Sequence, residues 1–129
     1  MPLAKPWQPW PPADARAIPA ALGVFEIGDA AGNVLYIGMA GGRTRFGLRE
    51  RISACFAGAV APSLAERAAA YRYEVNMMYF TRYIELLERH LHAHGDVPPG
   101  NRESGEPLPT LGRAGRQAAR AAWRDSGGE

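Results

Sequence analysis

The chain has 129 residues, with 15 basic and 13 acidic side chains, a formal charge of +2 and 47% hydrophobic residues. That length fits one domain with tails, and the weak net charge excludes a uniformly basic, histone-like binder while permitting a local basic face. A single cysteine, Cys55, excludes an intrachain disulfide and a cysteine-based metal cluster.

Residues 1–21 hold several prolines, including Trp10-Pro11-Pro12. Proline fixes φ and removes a donor, so no long helix or central strand is expected there. Trp7 and Trp10 predict a strap packed across the domain, with a flexible proline-rich arm as the alternative. Leu22 to Ile27 and Val34 to Ile37 are β-like, rich in β-branched and aromatic residues. Between them, Gly28-Asp29-Ala30-Ala31-Gly32-Asn33 has the chemistry of a hairpin turn. Gly38 to Gly47 is a glycine-rich loop that carries Arg43 and Arg45. It lacks a Gly-Lys-Ser/Thr ending, so a nucleotide P-loop is not supported.

Leu48 to Phe56 reads as a helix, with Leu48, Ile52 and Phe56 on one stripe and Arg51 and Cys55 on the next. Leu64 to Ala70 predicts a short helical turn, and Tyr71 to Met77 a third strand. Phe80 to His94 is the clearest helix, with Phe80, Tyr83, Ile84, Leu87 and Leu91 as its expected buried face and Gly95 as its stop. His90 and His94 have the spacing of a zinc-ligand pair, and a histidine-rich helix end is the plainer account. Asp96 to Pro109 reads as irregular. Gly112 to Arg124 predicts an Ala/Arg helix with a ladder of Arg113, Arg116, Arg120 and Arg124. The expected class is therefore α+β, a small three-stranded sheet flanked by helices in β-β-α-β-α order. The domain spans 22–101, between the strap and a 102–129 extension.

Of the basic residues, all but Lys5 are arginine. The planar guanidinium fork matches phosphate geometry, although codon bias toward Ala, Gly, Pro and Arg explains the same count. Arg51 can clamp two phosphate oxygens. Glu88 can give a hard oxygen ligand to Mg²⁺ or Mn²⁺, with water and substrate oxygens completing the shell.

Several short motifs fall in a recognisable order: Gly23-Val24-Phe25, then Tyr36-Ile37-Gly38, then Arg51-Ile52-Ser53-Ala54-Cys55-Phe56, then Leu86-Leu87-Glu88, then Pro98-Pro99-Gly100-Asn101. This series resembles the GIY-YIG nuclease family over roughly Leu22 to Asn101. The resemblance implies a divalent-metal-dependent endonuclease acting on DNA. It implies Tyr36 as base or water-positioning group, Arg51 as phosphate clamp and Glu88 as metal ligand. Gly38 would support the site, and Asn101 would order its rear wall. Arg43, Arg45 and Arg49 would extend the contact with nucleic acid. Three positions depart from the family pattern. Phe25 replaces the tyrosine of the first motif, Met39 stands where a lysine is common, and Cys55 replaces a histidine or tyrosine. Those departures leave a non-catalytic nucleic-acid-binding module as the alternative, and a protein-interaction domain using the Trp7/Trp10 strap as a third reading. The expected location is cytoplasmic, because one cysteine fits a reducing compartment, no run of ~18 apolar residues exists and the N-terminus lacks a secretory pattern.

Overall fold

The computed structural model describes residues 2–109 and 111. The expected Ala/Arg helix and its arginine ladder lie outside the described residues. The elements are β1 (Gln8–Pro9), β2 (Gly23–Gly28), β3 (Val34–Ala40), α1 (Gly47–Phe56), α2 (Pro62–Arg67), β4 (Ala70–Val75), α3 (Tyr79–His94) and α4 (Pro99–Glu103). They form an α+β fold around one antiparallel sheet in the order β1-β4-β2-β3. The sheet has four strands rather than three. The additional one is the two-residue β1, in which Gln8 and Pro9 pair with Tyr71 and Ala70. An edge position tolerates proline because the missing donor would face away from the ladder.

The hairpin between β2 and β3 is closed by Asp29, whose side chain accepts from the Ala31 and Asn33 N–H groups at 3.0 and 2.9 Å. All six residues of β2 are buried. Their alternation serves both faces of the sheet. Phe25 and Ile27 pack with Tyr36 and with Leu48, Ile52 and Cys55 of α1. Val24 packs with Ile37 and with Tyr83, Leu86 and Leu87 of α3. Gly95 ends α3 in the left-handed region at φ 77°.

The N-terminal segment lies across the molecule, with Leu3 and Ile18 in the core. Trp10 stacks on Phe56 at 4.4 Å between ring centroids. The Arg72 guanidinium sits over the Trp7 ring at 4.1 Å. Beneath it, Arg72 pairs at 2.7 Å with Glu26, its register partner on the neighbouring strand.

Two expectations change. Phe80 is 51% exposed, and the fully buried side of α3 is Tyr83, Leu86 and Leu87. Phe80 sits in the first turn, at the rim of a cleft rather than over the sheet. The stretch read as irregular contains α4, a helix too short for periodicity to reveal.

Candidate functional site

β3 is the free edge of the sheet, and α4 closes it. Asn101, 3% exposed, accepts from the Ile37 N–H and donates to the Ile37 carbonyl, both at 2.8 Å. One side chain thus satisfies both outward-facing main-chain groups of an edge residue. Gly100 makes the approach possible, since a Cβ there would lie 2.6 Å from the Leu35 carbonyl oxygen.

On the adjoining position of β3, Tyr36 is buried against Phe25, with ring centroids 5.9 Å apart. A Cβ on Gly38 would fall 2.3 Å from the Phe25 ring, so the glycine lets these rings interlock. Only the Tyr36 hydroxyl has polar company. It donates to Oε1 of Glu106. The Arg51 Nη2 donates to the Tyr36 oxygen at 3.3 Å and pairs with Oε2 of Glu106 at 3.2 Å. Burial, and then the Glu106 carboxylate, raise the Tyr36 pKa far above its usual value. In this arrangement Tyr36 is a proton donor, and it becomes a base only if the carboxylate takes its proton. Cys55, on the same helix as Arg51, is fully buried, and desolvation pushes its thiol up to about 12. It is a packed side chain, not a nucleophile.

Tyr36, Arg51 and Glu106 lie in a cleft of about 670 Å³. The loop after β3 contributes Gly41, Gly42 and Arg43, and α3 contributes Tyr79, Phe80 and Tyr83. The Tyr79 hydroxyl accepts from the Gly42 N–H at 3.4 Å and so ties the loop to α3.

Of the residues expected at the site, Tyr36, Gly38, Arg43 and Arg51 meet in this cleft. Asn101, on α4, is bonded to Ile37 of β3 and is not part of the cleft lining. Arg45 is exposed, but its guanidinium lies over Phe46 at 5.3 Å and it is outside the cleft lining. Arg49 is outside the cleft lining as well. Its Nε donates to the Ile18 carbonyl at 2.8 Å, which anchors the N-terminal strap. Glu88 is half-buried on α3 and does not line the cleft. It follows Tyr83 by five residues, about 140° around an α-helix from the side Tyr83 shows to the cleft. The carboxylate present is Glu106. Its sequence setting, Ser104-Gly105-Glu106-Pro107, has no periodicity or motif frame to mark it, and only the return of the chain past α4 brings it to Arg51.

A resident Mg²⁺ or Mn²⁺ ion does not fit these residues as they stand. Glu88 is elsewhere, and both Glu106 oxygens are engaged by Tyr36 and Arg51. Among the described residues no group of three His, Cys, Asp or Glu side chains converges. The His90 and His94 rings are tilted by 34° with centroids 4.3 Å apart, and the Nδ1 of His90 meets the Asp96 carbonyl at 2.9 Å. Among the described residues no helix is long and apolar enough to cross a membrane.

Fold and cleft together define a small α+β domain with a tyrosine–arginine–carboxylate site at an edge strand. The chain belongs to a family described as a domain of unknown function, DUF7508, whose model matches residues 1–93. The matched span contains Tyr36 and Arg51, while Asn101 and Glu106 lie beyond it. No curated protein matches the chain.

Proposed function

We propose that this chain is a nucleic-acid-binding domain with a GIY-YIG-like scaffold, which takes the phosphodiester backbone of DNA in the Tyr36–Arg51 cleft. The observation that carries the reading is the setting of Arg51. Its guanidinium is held beside the Tyr36 hydroxyl, and the partner it engages there is an anion. A phosphate presents the same kind of oxygen acceptors to that fork. Arg43 adds a second cation, and Gly41 and Gly42, which carry no side chain, leave that wall of the cleft open to a backbone. Such contacts hold a backbone without reading sequence.

A divalent-metal-dependent endonuclease is the second reading, and one observation favours it. A hydroxyl, a guanidinium and a carboxylate are in mutual contact. In that reading Glu106 is the proton acceptor rather than a resident metal ligand, and a divalent ion would have to enter with the substrate phosphate. Phosphoryl transfer needs a proton acceptor and a cation on the phosphoryl oxygens, and Glu106 with Tyr36 and Arg51 supply them.

The test is DNA binding by fluorescence anisotropy across a salt series, followed by nicking of supercoiled plasmid with Mg²⁺, Mn²⁺ or EDTA. Salt-dependent binding that weakens in Arg51→Ala supports the first reading. Binding that is absent, or unchanged in both Arg51→Ala and Arg43→Ala, overturns it. Metal-dependent cutting that survives Glu88→Ala and stops in Glu106→Gln establishes the second.

A further inference from the structure

We infer that the cleft selects an unpaired nucleotide over duplex, with Phe80 as the surface on which a base stacks. This rests on the phosphodiester reading of the same cleft. The cleft is chemically divided. Arg43 and Arg51 supply cations, whereas Tyr79, Phe80, Leu108 and Met39 supply apolar surface. Phe80 and Leu108 keep 51% and 37% of their area in water. Met77 and Met78, which lead into α3 just before Tyr79, are 81% and 66% exposed.

A phosphate needs only the cations. Large side chains left in water beside them call for a second, flat and apolar partner on the same ligand. A nucleotide offers both, a charged backbone and a π-face. In duplex the base faces are hidden in the stack, so an aromatic rim gains nothing from them. In a single strand they are free, and aromatic platforms beside a basic groove are the usual means of holding them. The size agrees. About 670 Å³ is the scale of a small-ligand pocket, enough for a nucleotide and its flanking phosphates.

Phe80 is anchored for this role. Its neighbour Tyr79 is fixed on the Gly42 N–H, which holds the first turn of α3 against the phosphate-side loop. Backbone and base contacts therefore keep a set separation.

The test measures anisotropy of a labelled oligothymidine and of a labelled hairpin duplex of equal length, with the full chain at low salt. The unpaired strand should bind several-fold more tightly. Phe80→Ala should weaken it about tenfold, at the lower end of what base–aromatic stacking contributes, and change the hairpin less than about twofold. Phe80→Leu keeps most of the apolar area, removes the ring face and should behave like Phe80→Ala; Phe80→Trp should bind at least as well as wild type. Hairpin binding equal to or tighter than the single strand overturns the inference. So does an equal loss on both ligands in Phe80→Ala, or full retention in Phe80→Leu. If hairpin binding still depends on Arg51 while Phe80→Ala changes nothing, the phosphodiester reading stands and this inference falls. If wild type binds neither ligand, both fall.

Discussion

Arg72 holds Glu26 at 2.7 Å and Arg51 holds Glu106 at 3.2 Å, and the surroundings of the two pairs differ at every level. Glu26 and Arg72 are register partners on adjacent central strands, their side chains 7% and 19% exposed, with Trp7 covering the guanidinium. Arg51 stands on a helix and Glu106 on an irregular segment 55 residues away, with side chains 28% and 42% exposed. Water reaches the second pair and hardly reaches the first. A covered charge pair has no alternative partner, so it fixes structure. An open one can exchange its carboxylate for another anion at small cost, which is what a binding site requires.

Breaking the covered pair should have the largest effect. Arg72→Ala leaves the Glu26 carboxylate buried without its partner, and should cost about 3 kcal/mol of stability. Urea unfolding should show a lower midpoint, and a replacement of both partners by apolar residues should recover much of it. A loss below 1 kcal/mol in the single variant would mean that water reaches Glu26 freely and would erase the contrast.

Asn101→Ala comes next, because it strips the Ile37 N–H and carbonyl of their partner. Stability should fall by about 2 kcal/mol, the cost of leaving buried main-chain groups unpaired. Asn101→Asp should recover only the bond from the Ile37 N–H. Hydrogen exchange at Ile37 should speed up in Asn101→Ala and stay slow at Val24 in the central strand. Equal acceleration at both positions would show that Asn101 supports the whole sheet rather than its edge.

The open pair should behave in the reverse way. Arg51→Ala should lower stability by less than about 1 kcal/mol, as for other exposed ion pairs. It should nevertheless remove most DNA binding and flatten its salt dependence. A large stability loss with unchanged binding would make Arg51 a structural residue.

The smallest effect expected is also the sharpest. Glu106→Gln removes the anion that occupies the Arg51 fork and leaves the side-chain shape. DNA affinity should rise about two- to fivefold, with stability within about 0.5 kcal/mol of wild type. Affinity that falls instead would show that Glu106 helps to hold the ligand, and would favour its role in the endonuclease reading.

Much of the architecture was legible in the chain. The β-branched and aromatic content of residues 22–27, the turn chemistry of Asp29 and Asn33, the stripe through Leu48 and Ile52, and the helix stop at Gly95 are local signals, and each fixes an element within a residue or two. That Tyr36, Gly38 and Arg51 come together was also expected from the short frame of neighbours around each, and they line one cleft. Glu88 sat in such a frame too, but a frame does not say which way a helix turns once its apolar face has docked. Tyr83, Leu86 and Leu87 take the sheet and cleft side of α3, and that rotation carries Glu88 away from the lining.

What the tertiary structure alone decided is who meets whom over long separations. The pairing of Gln8 and Pro9 with β4, the use of Arg49 on the Ile18 carbonyl and the arrival of Glu106 at Arg51 join residues with no pattern between them. Periodicity reports which side of an element avoids water, and turn residues report where the chain reverses. Neither carries information about a polar side chain on an irregular segment, whose partner is set only when the whole chain has packed.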